Sequence, residues 1–121
     1  MIAMLRQLPG FERLREPALE LIVARAALRR YSPGQIALPS GTVGELLFAC
    51  VEGSVVTPQG ADGRAVFDAP GLLFGLPARG DYRAGAQGMS ALAIAKPHVF
   101  TIVREFPEFV VSLLEHGETL G

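Results

Sequence analysis

Between Leu28 and Ala95 short apolar segments alternate with clusters of Gly, Pro, Ser and Asp, and this punctuation constrains the fold more than any other feature of the chain. Gly and Pro interrupt helices and place turns, and apolar runs too short for a helix between such turns read as strands. The middle of the chain therefore reads as an antiparallel β architecture. Gln59–Arg64 separates Val55-Val56-Thr57 from Ala65-Val66-Phe67, so a hairpin turn is expected there, with Gly63 at positive φ. Met89–Ala95 alternates well enough for one further strand.

The two ends follow a different period. Glu16–Ala26 carries its apolar residues at helical spacing, with Pro17 in the first turn, where a missing N–H is harmless. Phe11 and Leu14 ahead of it are expected to form a short turn packed on the same core. Lys96–Arg104 returns to helical spacing with Pro97 again near its start, and a second helix follows from Glu105 to a stop at Gly117. The expected layout is one domain over 1–121, mainly β with flanking helices. It places a helix at about 16–26, an antiparallel β-roll or jelly-roll (a double-stranded β-helix) at about 28–95, and helices at about 97–116.

Composition narrows the function classes. Half of the 121 residues are hydrophobic and 19% are charged, which excludes a disordered chain. No apolar run reaches the ~18 residues that span a bilayer, and Met1–Arg6 lacks the features of a secretion signal. A net charge of −1 leaves no electrostatic footprint for nucleic acid, and Arg25, Arg29 and Arg30 read as a short solvated face. Cys50 is the lone cysteine, so no internal disulfide forms, and a cytoplasmic location with a buried, inert thiol is expected. His98 and His116 lie far from any partner set, so no metal cofactor is expected. No nucleophile–base pair or acid pair is visible, and the expectation is a protein that is not an enzyme.

Gly71–Ala86 is the candidate site. An apolar run ends in a Gly-rich turn that delivers Arg83 among small residues. Glycines let backbone N–H groups approach a ligand, and an arginine fork suits phosphate. A Gly-rich hairpin with a solvated arginine paired to Asp81 or Asp68 has the same pattern. The other glycines add a frame: Tyr31-Ser-Pro-Gly34-Gln-Ile36, Pro39-Ser-Gly41, Leu46 to Val51 followed by Glu52-Gly53-Ser-Val55, then Gly71-Leu-Leu-Phe74-Gly75. From about Leu8 to Leu114 this resembles the cyclic nucleotide-binding domain superfamily, the sensory β-roll of catabolite-activator-type regulators.

In binding members of that superfamily, Phe-Gly-Glu-Leu-Ala and a one-turn helix precede an arginine with small neighbours. The resemblance implies that Phe74, Gly75, Leu76, Arg83 and Ala84 form the ligand site, with Gly75 and a helix N-terminus at the phosphate and Arg83 neutralising it. Leu76 stands where the family carries the glutamate that takes the ribose hydroxyl. An unmet hydrogen bond there costs about 1–3 kcal/mol, so cyclic AMP is expected to bind weakly or not at all. Seven residues separate Gly75 from Arg83, Pro77 and Gly80 among them, so the cassette is short. Phe74-Gly75-Leu76 with Tyr82-Arg83-Ala84 is similar to a branch found beside CBS repeats and nucleotidyltransferases.

Two functions follow from the resemblance. One is a non-enzymatic sensory module that takes a small anionic, nucleotide-like ligand and passes the change to its C-terminal helices. The other is a degenerate roll without a small ligand, serving dimerisation or docking through an apolar edge of Phe106, Phe109, Val110 and Leu113, a stripe that core packing against the roll explains equally well. The partners expected are a small anion and a second copy, with neither membrane nor nucleic acid, since the chain ends at Gly121 before a DNA-binding domain.

Overall fold

A computed structural model describes residues 1–116, the last of these by its backbone. The chain begins with α1 (Ile2–Arg6), a 3₁₀ turn at Phe11–Arg13 and α2 (Glu16–Arg25), in which Pro17 occupies the first turn. Helix α1 is too short to show a helical period, so sequence reading passes over it. Phe11 and Leu14 are buried, as their apolar character requires.

The roll consists of β1 (Ala26–Tyr31), β2 (Ile36–Leu38), β3 (Leu46–Val56), β4 (Asp62–Gly63), β5 (Val66–Phe67) and β6 (Tyr82–Ala95). All pairings are antiparallel, in the order β1-β6-β3-β4, with β2 also on β6 and β5 also on β3. The 57–61 turn before β4 exists as expected, but Gly60, not Gly63, takes the positive φ. Gly63 is drawn into β4, where it pairs with Val55.

Strands β3 and β6 run together from Leu46↔Ala95 to Val56↔Arg83, with register shifts between Cys50 and Glu52 and between Gly53 and Val55. An extra residue bends a strand and turns the following side chains to the other face. Cys50 and Val55, five apart on β3, accordingly reach the same core. At the bend Gly53 (φ 69°) lies against the Gly88 carbonyl, and Gly88 (φ 79°) lies against the backbone of Tyr31, leaving no room for a Cβ at either position.

Two cores result. Leu47, Ala49 and Val51 of β3, with Leu92 and Ile94 of β6, face the helices, and Phe48, Cys50, Ala91 and Ala93 face the inside of the roll. Burial on both faces explains why these strands read as nearly continuous apolar runs.

One element departs from the sequence reading. Ala69–Phe74 forms a short helix, α3, with Pro70 in its first turn. Of the apolar run 71–74, Gly71 and Leu72 are buried, whereas Phe74 is 63% exposed. Beyond β6 lie α4 (Lys96–Glu105), with Pro97 in its first turn, and α5 (Glu108–His116). The proposed stop at Gly117 lies outside the described residues.

The expected apolar edge on the C-terminal helices is corrected. Phe109 and Leu113 are fully buried, and Phe109 meets Phe11 edge-to-face at 5.9 Å between ring centres. Phe106 and Val110 are partly buried. The exposed apolar residues of α5 are Val111 and Leu114. Arg15 donates to the Glu108 carboxylate at 2.8 Å and lies over the Phe106 ring at 5.3 Å, which ties the N-terminal helices to α5. Backbone N–H donation, then Arg15, hold the Glu108 carboxyl below its ordinary pKa. Among the described residues no helix is long and apolar enough to cross a membrane.

Candidate functional site

The five residues singled out by sequence lie in three different settings. Gly75 ends α3 in a left-handed conformation (φ 68°), and its N–H and that of Leu76 both donate to the Gly71 carbonyl. The expected arrangement, with Gly75 beside a helix N-terminus, is therefore corrected. Gly75 sits at a helix C-terminus, whose dipole is negative and whose free groups are carbonyls. Phe74 and Leu76 point into solvent, 63% and 52% exposed.

Strand alternation separates Arg83 from Ala84. Tyr82 and Ala84 face the roll interior, and Arg83 between them faces outward. Its guanidinium donates to Asp81 Oδ2 at 3.1 Å and to the Gly34 carbonyl at 3.3 Å, and its side chain is 48% exposed. The pairing with Asp81 is the solvated alternative that the sequence left open. Leu76, which could have filled the interior, does not.

Aromatic rings occupy the interior instead. Phe48 and Phe67 stack at 5.1 Å between centres and 7° between planes, Phe67 and Tyr82 at 5.1 Å and 16°, and Tyr31 closes one end edge-on to Phe48. Leu38, Val55 and Met89 pack around this column. Tyr82 is the residue that sequence reasoning missed. Its signal is the alternation of Tyr82-Arg83-Ala84, in which Tyr82 shares the inward register of Ala84.

A groove of about 480 Å³ lies between α3, α5, the turn at 58–59 and the 76–79 segment, and Tyr82 of the interior column also lines it. Of the five candidate residues Leu76 alone lines it among the described residues, and the Arg79 guanidinium lies beside it. Asp68 and Glu115 also line it, so among the described residues the groove carries two carboxyl groups to one guanidinium. Cys50 is fully buried in β3, and desolvation raises its pKa to about 11, which keeps the thiol protonated and unreactive. No group of three His, Cys, Asp or Glu suited to a metal occurs among the described residues.

No protein-family model matches the chain, and no curated protein matches its sequence. Solved structures do match its fold. The catabolite activator protein of Thermus thermophilus superimposes over 88% of the chain with a TM-score of 0.67 at 17% identity. The fold is similar to the β-roll of that protein. The regulatory domain of Toxoplasma gondii PKA, solved with cAMP, has the same roll over 86% of the chain (TM-score 0.65, 17% identity). So does the N-terminal domain of a Streptomyces coelicolor A3(2) transcriptional regulator, over 93% of this chain and 86% of that one (TM-score 0.62, 20% identity). The chain spans 55% of the length of the Thermus protein and 43% of the Toxoplasma one. The antiparallel roll with flanking helices expected from sequence is thus observed, and the comparison carries the fold.

Proposed function

We propose that the chain is a non-enzymatic regulatory module of the cytoplasm whose β-roll is a scaffold for protein contacts rather than a receptor for a cyclic nucleotide. The observation that carries this reading is the Phe48–Phe67–Tyr82 column, which fills the inside of the roll with stacked rings. Gly75 at a helix C-terminus and Arg83 facing outward support it. Calorimetry with cyclic AMP and cyclic GMP tests it. No binding is expected, and a dissociation constant near or below about 10 μM for either nucleotide overturns the reading.

The anion reading of Phe74, Gly75, Leu76, Arg83 and Ala84 keeps one observation in its favour. Arg83 is half exposed, and a surface pair such as its contact with Asp81 contributes only about 0–1 kcal/mol, so a phosphate can displace the carboxylate. The scaffold reading expects phosphate to shift the melting temperature of the parent and of Arg83→Ala equally. A rise in the parent alone assigns an anion to Arg83 and restores the sensory reading.

The partner in this reading is a second copy, met through α5. Val111 and Leu114, one turn apart, are 50% and 48% exposed, and Leu114 shares its groove with Leu76. Clustered exposed apolar side chains of this kind mark contact surfaces. Sedimentation should show a dimer for the parent and a monomer for Val111→Asp/Leu114→Asp with unchanged circular dichroism. A monomeric parent at about 100 μM rules the dimer out.

A further inference from the structure

We infer that the free edge of β1 is a docking site for an extended acidic segment of another protein, which would add to the sheet as a further strand. This deepens the scaffold reading and rests on it. Among the described residues strand β1 pairs with β6 along one edge only and is the last strand of the sheet on that side. Its register with β6 runs unbroken from Ala26↔Ile94 to Tyr31↔Met89, without a bulge or proline. Every second residue of an antiparallel strand directs its N–H and C=O away from its neighbour, so β1 offers a regular row of donors and acceptors. The strand is also bare on its faces, with Ala27 to Arg30 all exposed and Leu28 43% exposed.

Charge selects the occupant. Arg29 and Arg30 point to opposite faces of β1, and Arg25 lies just before it at the end of α2. Among the described residues none of the three forms an ion pair. A second copy of this chain pairing edge to edge would bring the same arginines together from both sides, and like charges on facing strands are destabilising. An incoming strand with two adjacent acidic residues meets Arg29 on one face and Arg30 on the other. Main-chain hydrogen bonds then supply affinity, and the arginines supply selection and a faster encounter.

The test uses the full chain and labelled valine-rich peptides of about eight residues that carry adjacent Glu-Glu pairs, adjacent Lys-Lys pairs, or the Glu-Glu pairs on an N-methylated backbone. Fluorescence anisotropy should rise with the acidic peptide only, and amide exchange at 26–31 should slow in its presence. Arg29→Glu/Arg30→Glu, at two exposed positions, should weaken the acidic peptide by about tenfold or more and admit the lysine peptide. A flat anisotropy with the acidic peptide, equal binding of all three, or protection appearing away from β1 overturns the inference. The nucleotide calorimetry above is independent of this outcome. A cyclic nucleotide binding in the roll would sink the scaffold reading, whereas a silent β1 edge with no nucleotide bound sinks the docking site alone.

Discussion

Phe67→Ala is expected to lower the folding free energy by about 3–5 kcal/mol, read as a fall in the urea midpoint at an unchanged slope. Phe67 is 1% exposed and is stacked on both sides, against Phe48 and against Tyr82, each at 5.1 Å. Truncation removes its buried area, both ring contacts and the support of the neighbouring rings, and strands β3, β5 and β6 hold the slot open. Each aromatic pair contributes about 0.5–1.5 kcal/mol beyond its buried area, which puts the loss toward the upper part of the range. A change below about 1 kcal/mol would mean that the roll interior is loosely filled. The scaffold reading would then lose its main support, because a loose interior could open for a ligand.

Gly53→Ala is expected to be nearly as damaging for a different reason. A Cβ there would run into the Gly88 carbonyl and lie 2.9 Å from its carbon, and neither strand can yield without breaking the β3–β6 ladder. Positive φ adds about 1–2 kcal/mol for a non-glycine residue, and overpacking adds about 1–3 kcal/mol. Gly34→Ala is the control. Gly34 has φ 76° with open space where the Cβ would go, so only the conformational part applies. Equal melting temperatures for the two variants would show that the close approach at the bend does not matter.

Much of this fold was legible because two periods alternate along the chain. Pro17 and Pro97 marked helix starts correctly, and the glycine and proline clusters between them marked turns. The turn at 57–61 was legible as a turn, but which glycine takes positive φ depends on the pairing of Gly63 with Val55, a contact that local sequence does not contain. Helix α3 was missed because six residues with a glycine at the third carry little helical signal, and its form depends on packing Leu72 into the core. The candidate site was legible as a motif and not as an arrangement. Arg83 falls in a strand whose alternation sends it outward, and that direction was fixed by Tyr82 and Ala84 finding places inside. The buried stripe of Phe109 and Leu113 was weighed as edge or core, and the facing Phe11 decides for core.

The Arg15–Glu108 clasp and the core beneath it bear on the order in which this chain can fold. Leu5, Leu8 and Phe11 share one core with Ile102, Phe109 and Leu113, and the Ser112 hydroxyl donates to the Gly10 carbonyl at 3.2 Å. The helices that flank the roll in sequence are thus neighbours in space: α1, α2 and α4 lie on the strands, and α5 completes the layer against α3 and α4. On a ribosome α1 and α2 emerge before the strands, but the layer over Leu47, Leu92 and Ile94 is complete only once α4 and then α5 have followed. Such non-local closure slows folding, since the entropy of ordering the chain is lost before the contacts repay it. It also makes loss of α5 a lesion of the whole roll, felt as far away as α1.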